Sequence, residues 1–505
     1  MSNKSIFNNN VLFLLAGFIL LLGIFLILDY YKPLQMDELS TFIHCHDKSF
    51  AELIEATEVG VDWMPILYFL IIWSIDQITP LTHTLMRAPN LLFTWLSLLI
   101  LNGILLKAFG RNAAFIGIVT IFSHSLLIPF ILCEARPYGL FFLLSCWVAY
   151  EFQRCTTKTD KKFHKRLFIA NCLCPASHYF GGLYCAFSLA AYLLFASAEK
   201  KCKLKSVILS SLLGWSVFFI CCLDTLLKQF QETKTSISSN FQNLNDLFGI
   251  YGTQVYFPLG FLAFFIFLKK TSFKNQIKCD LKLNITANFI LLLSVFWMAI
   301  PFILFLIGKA TENNFTQLRY YTPNLLAYST FLGFIYFKIL KTKLPHKLTT
   351  TAFLCSCLLI LAINTRSLAS SYKNESPKDA LDFLNQSDIP VVTFSMRVAF
   401  HVNHYHSNKV HFLVGDQQYA SYMNKFSRKI SSIGVEFIDD RISLPEDAAL
   451  KNDSRFIFIH GPMGSPLDFH EIENFANYNG YRLSKHLNLH STEVTHAFFF
   501  EKFSN

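Results

Sequence analysis

The sequence predicts a polytopic α-helical membrane protein of about eleven spans, with juxtamembrane helices and a C-terminal extracytoplasmic α/β domain. Three observations carry this reading. Of 505 residues, 53% are hydrophobic and only 15% are charged, against roughly 25% charged in soluble domains. Apolar runs long enough to cross a bilayer recur through residues 1–368. Lys and Arg gather in short connectors between those runs, the pattern of the positive-inside rule.

The net charge of +10 arises largely in those connectors, so it points to membrane orientation and not to nucleic acid. The 13 cysteines outline no disulfide framework. Most lie in apolar runs, as Cys221-Cys222, Cys355 and Cys357 do, where Cys acts as a small hydrophobe. Cys172 and Cys174 lack the second pair and the His that a zinc site needs. No cofactor is expected; a divalent metal is left open and is indicated by no residue set.

The first apolar run, 11–28, is long enough to span, and no small-residue cleavage site follows it. Further spans are expected to start near residues 88, 113, 136, 166, 179, 204, 254, 285, 319 and 348. Basic connectors at 107–111, 154–166, 199–205, 269–282 and 341–347 mark the cytoplasmic side. With the N-terminus inside, eleven spans put the C-terminus outside.

The first outer loop, 29–87, opens on "YKPLQMDELSTF". Ser49 and Glu52 form a capping-box pattern that starts an amphipathic helix to about Gly60. Phe50, Leu53 and Ile54 lie on its lipid side, and Glu52, Glu55 and Glu58 face water. The apolar run 63–78 is interrupted by Asp76. A crossing there would put every later basic connector on the wrong side, so it is expected to lie in the outer interface or to dip in and out, with a crossing left as the alternative if a span elsewhere is miscounted. Residues 166–196 are too few for two full spans and a loop, and read as two short helices meeting at "ASHYFGG". Residues 369–505 form the outer domain. "SPKDALDFLNQ" and "FHEIENFANYNG" read as helices, "YRLSKHL" as a chain heading into a strand, and "VVTFSM", "KVHFLVGD", "SRFIFIHG" and "HAFFFEKF" as strands.

Polar residues at membrane depth are costly and call for a reason. Several converge on the outer side: Asp37 and Glu38 in the first loop, Asp62 before the interfacial helix, Glu134 and Arg136 in "CEARPYGL", His178 and Tyr179 in the short-helix bend, and Arg319, Tyr320 and Tyr321 at the tenth span. Carboxylates beside Arg and His suit deprotonation of an acceptor hydroxyl next to a departing phosphate. Taken singly, each has a plainer reading. The acidic pair is also a solvated helix end, the arginines are also snorkelling anchors, and His178 is also a structural hydrogen-bonding group. His44, His46 and Asp47 mimic a metal set only weakly.

The order of these segments resembles the GT-C membrane glycosyltransferases, in particular family 39, the protein O-mannosyltransferase and aminoarabinose-transferase group of bacterial type. "LQMDELSTF" is similar to the family's acidic loop motif, "VDWMPILYFLI" to its Pro- and Tyr-containing segment, and "RAPNLLFTWLSLLIL" to the opening of its next span. "EARPYGLFFLL", "HYFGGLY" and "LRYYTPNLLAYS" resemble its later blocks, and the likeness covers about residues 10–365. Met64-Pro65 departs from the family's Pro-Pro or Lys-Pro, so a donor phosphate must find another cation here.

The resemblance implies a GT-C fold in a cytoplasmic (inner) membrane, with the active site on the extracytoplasmic face. It implies inverting transfer of a sugar from a polyprenyl-phosphate donor to an extracytoplasmic glycan, lipid or protein. Asp37 is then the general base and Glu38 its partner. Arg136, His178 and Arg319 would stabilise the leaving phosphate. Tyr320 and Tyr321 would hold a substrate, with Tyr179 and Asp62 in the same binding set. Two other classes stand beside this one: a transporter or flippase of a lipid-linked glycan, and an inactive scaffold. The absence of an internal repeat of spans, and the gathering of polar residues at one face, speak against a transporter.

Overall fold

A computed structural model describes residues 3–122 (33, 47 and 59–63 apart), 124, 127–157, 164–199, 204–236, 284–311, 317–337, 346–374, 381–386, 389–393, and the strands and isolated positions between 402 and 502 given below. The span expected from 254, Asp62, Asp47 and the helix expected at "FHEIENFANYNG", Ala476 apart, lie outside the described residues.

The chain opens with α1 (Asn3–Tyr31). Three short helices fill the first loop: α2 (Met36–Cys45), α3 (Phe50–Glu58) and α4 (Ile66–Asp76). Then follow α5 (His83–Phe109), α6 (Arg111–Phe122), a π-helical turn (Leu127–Leu132), α7 (Tyr138–Thr157), α8 (Lys165–Ser177), α9 (Gly181–Glu199) and α10 (Leu204–Ser236). The bundle ends with α11 (Ile285–Thr311), a 3-10 turn (Leu318–Tyr321), α12 (Asn324–Ile335) and α13 (His346–Asn374). Among the described residues, four stretches are long and apolar enough to cross a membrane: His83–Phe109, Leu204–Thr225, Ile285–Ala310 and Leu354–Tyr372. The chain is a membrane protein whose helices pack chiefly as α5 with α7, α8 with α10, α6 with α12, and α9 with α11.

The sequence explains the short helices of the first loop. Ser49 N–H donates to Glu52 Oε2 at 2.7 Å, and Glu52 N–H donates back to Ser49 Oγ at 3.3 Å. These two bonds satisfy amides that an open helix end would leave bare. With 11 residues, α4 rises about 16 Å, half the ~30 Å of a hydrocarbon core. It is tied down laterally by Trp73 Nε1, which donates to the Lys48 carbonyl at 2.7 Å, and by the 3.0 Å His46–Asp76 contact. The helix at 36–45 has no counterpart in the sequence reading.

Helices α8 and α9 meet in a tight turn because Gly181 lets the two backbones touch. A Cβ there would stand 2.4 Å from the Cys174 carbonyl oxygen.

Beyond α13 the described strands form one six-stranded sheet of order β3-β2-β1-β4-β6-β5. They are β1 (Val391–Thr393), β2 (Val410–Leu413), β3 (Val435–Ile438), β4 (Arg455–His460), β5 (Tyr481–Asn488) and β6 (His496–Lys502). The first four run parallel, and β6 pairs antiparallel with both β4 and β5. Phe456, Ile457, Phe458 and Ile459 are fully buried at its centre. The four-residue "VEFI" of β3 is an addition to the expected strands, and the expected "SPKDALDFLNQ" helix is described only as a 3-10 turn, Asp382–Gln386.

Candidate active site

The acidic pair opens α2, and its two members point to different surroundings. Glu38 is the third residue of the helix, and its Oε2 accepts from the Gln35 N–H at 3.1 Å, closing a capping box. Being fully buried, that carboxylate needs more partners, and distant segments supply them. Arg87 of α5 forks onto it, Nε to Oε1 at 2.7 Å and Nη2 to Oε2 at 2.8 Å. The Ala135 N–H donates to Oε1 at 2.8 Å, and Lys32 Nζ stands 3.3 Å from Oε2. Arg87 Nη1 also reaches Asp29 Oδ1 and the Lys32 carbonyl, each at 2.9 Å. Burial by itself would raise the Glu38 carboxyl, but the charges of Arg87 and Lys32 outweigh it and hold its pKa down to about 2. Two acids and two bases thus neutralise one another out of solvent.

That cluster fixes the 133–137 loop. Lys32 Nζ donates to the Cys133 carbonyl at 2.9 Å. Asn90 Nδ2 donates to the carbonyls of Glu134 and of Arg136, the latter at 2.8 Å. Asn90 can approach because the second residue of α7 is Gly139, where a Cβ would meet Asn90 Oδ1 at 2.6 Å. Held in this way, the loop presents Arg136, Glu134 and Tyr138 to the other side.

Asp37 faces that side. Its carboxylate pairs with Arg319 of the 3-10 turn, and Arg136 Nη1 donates to its backbone carbonyl at 3.2 Å. Arg319 Nε is steadied by Gln317 Oε1 at 2.8 Å. Tyr320 lies against the His178 ring at 5.5 Å between centroids, and Phe141 stacks on the other flank of His178 at 4.7 Å. His178 Nδ1 accepts from the Phe180 N–H at 3.2 Å, so its proton resides on Nε2. Burial, then the charges of Arg136 and Arg319, oppose a second proton. His178 is therefore a neutral donor and not a third cation.

Among the buried polar atoms of this region that have no hydrogen-bond partner among the described residues are Glu134 Oε2, Tyr138 OH and His178 Nε2. Such groups are expensive to leave unpaired, so each calls for an explanation. Burial raises the Glu134 carboxyl to about 8, so it is largely protonated at neutral pH. The charged groups gathered here are then the guanidinium groups of Arg136 and Arg319 against the carboxylate of Asp37. That balance suits an added anion, and the unpartnered atoms suit a polar ligand.

Of the residues singled out in the sequence, Asp37, Arg136, His178, Arg319 and Tyr320 come together. Glu38 lies in the adjoining buried cluster with both oxygens engaged. Tyr179 lies toward Cys222 of α10, and Tyr321 is buried in the apolar core. Lys32, Arg87, Asn90 and Tyr138 were not singled out. Arg87 and Tyr138 stand in quoted motifs, but no sequence spacing links Arg87 to an acid 49 residues earlier.

A bundle of apolar helices with a polar, cationic site at one end and a sheet domain beyond the last helix defines a class of membrane protein with a buried polar site. No family model matches the sequence, and no curated protein matches it. Among the solved structures that match are ArnT from Cupriavidus metallidurans bound to undecaprenyl phosphate, and the same protein in the apo state. Each aligns with a TM-score of 0.59 at 10% identity, covering 98% of this chain and 98% of that chain. The chain shares the ArnT fold along nearly its whole length, in agreement with the GT-C fold the sequence resemblance implied.

Proposed function

We propose that this chain transfers a sugar from a polyprenyl-phosphate donor to an extracytoplasmic acceptor, with inversion at the anomeric carbon. The observation that carries the reading is the meeting of Asp37 with Arg319 and Arg136, drawn from three distant segments, beside buried polar atoms that lack partners among the described residues. The ArnT fold, solved in that protein with undecaprenyl phosphate bound, supports a lipid-phosphate donor. Chemistry supports it too, since nucleotide sugars stay in the cytosol and an outward-facing transferase needs its donor flipped on a lipid.

In this reading the acceptor hydroxyl gives its proton to the Asp37 carboxylate as its oxygen attacks the anomeric carbon. The bond from that carbon to the phosphate oxygen breaks, and the electron pair leaves with the phosphate. Arg136 and Arg319 stabilise the charge that grows there. A phosphate competing for Arg319 loosens the Asp37–Arg319 pair, so donor binding itself frees the base. His178 Nε2–H and Tyr138 OH are donors for sugar or phosphate oxygens, and Tyr320 closes the same wall. Glu38 serves by position: its bonds to Arg87 and the Ala135 amide hold the loop that carries Arg136. The donor phosphate meets arginines where related sequences offer Lys-Pro.

The test is transfer of labelled sugar from a polyprenyl-phosphate donor by membranes carrying the wild-type or Asp37→Asn chain. Full activity in Asp37→Asn removes the base assigned here. Flipping of the donor in vesicles with no transfer replaces the transferase reading with a transporter.

A further inference from the structure

A second feature is a groove none of whose lining residues belongs to the candidate site. Helices α1 and α13 enclose a groove of about 620 Å³. Its walls are Leu20, Ile24 and Ile27 on one side and Leu358, Leu361 and Ala362 on the other. From Leu20 to Tyr31, which also lines it, α1 rises about 16 Å. That is half of a ~30 Å hydrocarbon core, the depth of one leaflet.

The polar lining gathers toward one end: Thr365, Arg366, Ser370 and Tyr31. That end is the candidate-site end, because Tyr372, two residues further on, lies under Lys32 Nζ at 5.6 Å. Arg366 stands inside the apolar stretch Leu354–Tyr372, which is long enough to cross the membrane. Among the described residues, no carboxylate lies within ion-pair distance of it. An arginine in a span without a protein counter-ion is costly, and a lipid phosphate is the counter-ion the bilayer supplies. None of the lining residues is acidic, so nothing there would pair with the ammonium of a zwitterionic headgroup. The groove thus joins a chain-length apolar slot to one cation at headgroup reach.

We infer that the α1–α13 groove is a binding site for an anionic glycerophospholipid, with a chain along Leu20–Ile27 and its phosphate on Arg366. The site is separate from the transferase reading and stands or falls without it.

The experiment uses the full chain, purified in detergent, stripped of lipid, and titrated with phosphatidylglycerol, phosphatidylethanolamine or undecaprenyl phosphate under native mass spectrometry. Wild type is expected to retain one phosphatidylglycerol more tightly than phosphatidylethanolamine. Arg366→Gln weakens that binding roughly tenfold, the loss of one charge-assisted contact, while Arg366→Lys keeps most of it. Ala362→Trp fills the slot and abolishes binding with Arg366 in place. Both changes are at exposed positions, and an unchanged melting temperature verifies the fold. Equal retention of phosphatidylglycerol by wild type, Arg366→Gln and Ala362→Trp overturns the proposal. Preference for undecaprenyl phosphate over phosphatidylglycerol, lost in Ala362→Trp, overturns it as well.

Discussion

Glu38 and Asp37 are neighbours in the chain and opposites in their surroundings. Around Glu38 every charge has its counter-charge: Arg87 binds both its oxygens, Lys32 adds a second cation, and the backbone amides of Gln35 and Ala135 complete the set. Around Asp37 the balance is left open, with two arginines, a largely protonated Glu134, and polar atoms that meet no partner among the described residues. The closed cluster resembles a buried salt bridge kept for geometry. The open one leaves Glu134 Oε2, Tyr138 OH and His178 Nε2 without a partner among the described residues, which calls for an explanation such as a bound ligand, ion or water. One helical register step separates the two roles, because successive residues on a helix point about 100° apart.

The strongest way to break this comparison is to open the closed cluster. Arg87→Met leaves the Glu38 carboxylate buried with half its partners gone. It should cost about 3–5 kcal/mol of stability, read as a fall in the unfolding temperature in detergent. A stable Arg87→Met protein would show that the Glu38 cluster is not what holds the 133–137 loop. Asp37→Asn should do the reverse. Its partly exposed pair with Arg319 contributes at most about 1 kcal/mol to stability, whereas loss of a general base lowers turnover roughly 10²–10⁴-fold. If Asp37→Asn unfolds the protein as readily as Arg87→Met, the two carboxylates share one role and the distinction fails.

A smaller change tests the link between the clusters. Gly139→Ala pushes a methyl group against Asn90, at a cost of about 1–3 kcal/mol. Asn90 holds the carbonyls that aim Arg136. Transfer should fall by more than stability does, and an elevated KM for donor would locate the loss at phosphate binding. Equal activity would separate Arg136 from Asn90.

The pH dependence of stability differs in sign between the clusters. The folded-state pKa of Glu38, about 2, lies below its ordinary 4.5. Its contribution is therefore full above 4.5 and lost as pH falls toward 2. The pKa of Glu134, about 8, lies above 4.5, so its contribution is full below 4.5 and lost as pH rises toward 8. Glu134→Gln should flatten the decline in unfolding temperature between pH 5 and 8, leaving the acid limb unchanged. A Glu134→Gln profile that follows wild type across that range would mean the buried carboxyl does not titrate there.

Much of the architecture was legible in order along the chain. Ser49 and Glu52 announced α3 because a capping box is a contact three residues long. The crowded stretch 166–196 announced α8, its turn and α9, because too few residues remained for two full spans. The strands rich in Phe, Ile and Val at β1, β2, β4 and β6 announced themselves by composition. The helix at 36–45 did not, because its cap is Gln35, a residue without a strong N-cap preference. The four residues of β3 were too few to show a period.

The candidate site divides along the same line. By itself the sequence determined that acids and cations would lie at one end of a membrane bundle, since charge is costly in lipid and the positive-inside rule orders the connectors. It also named Asp37, Arg136, His178, Arg319 and Tyr320. Only the tertiary structure decided which carboxylate would be neutralised by Arg87 and which would face Arg319. That choice rests on contacts between residues 49 and 282 positions apart. No local pattern encodes such contacts, because they are settled by how α5, the 133–137 loop and the 3-10 turn pack around the start of α2.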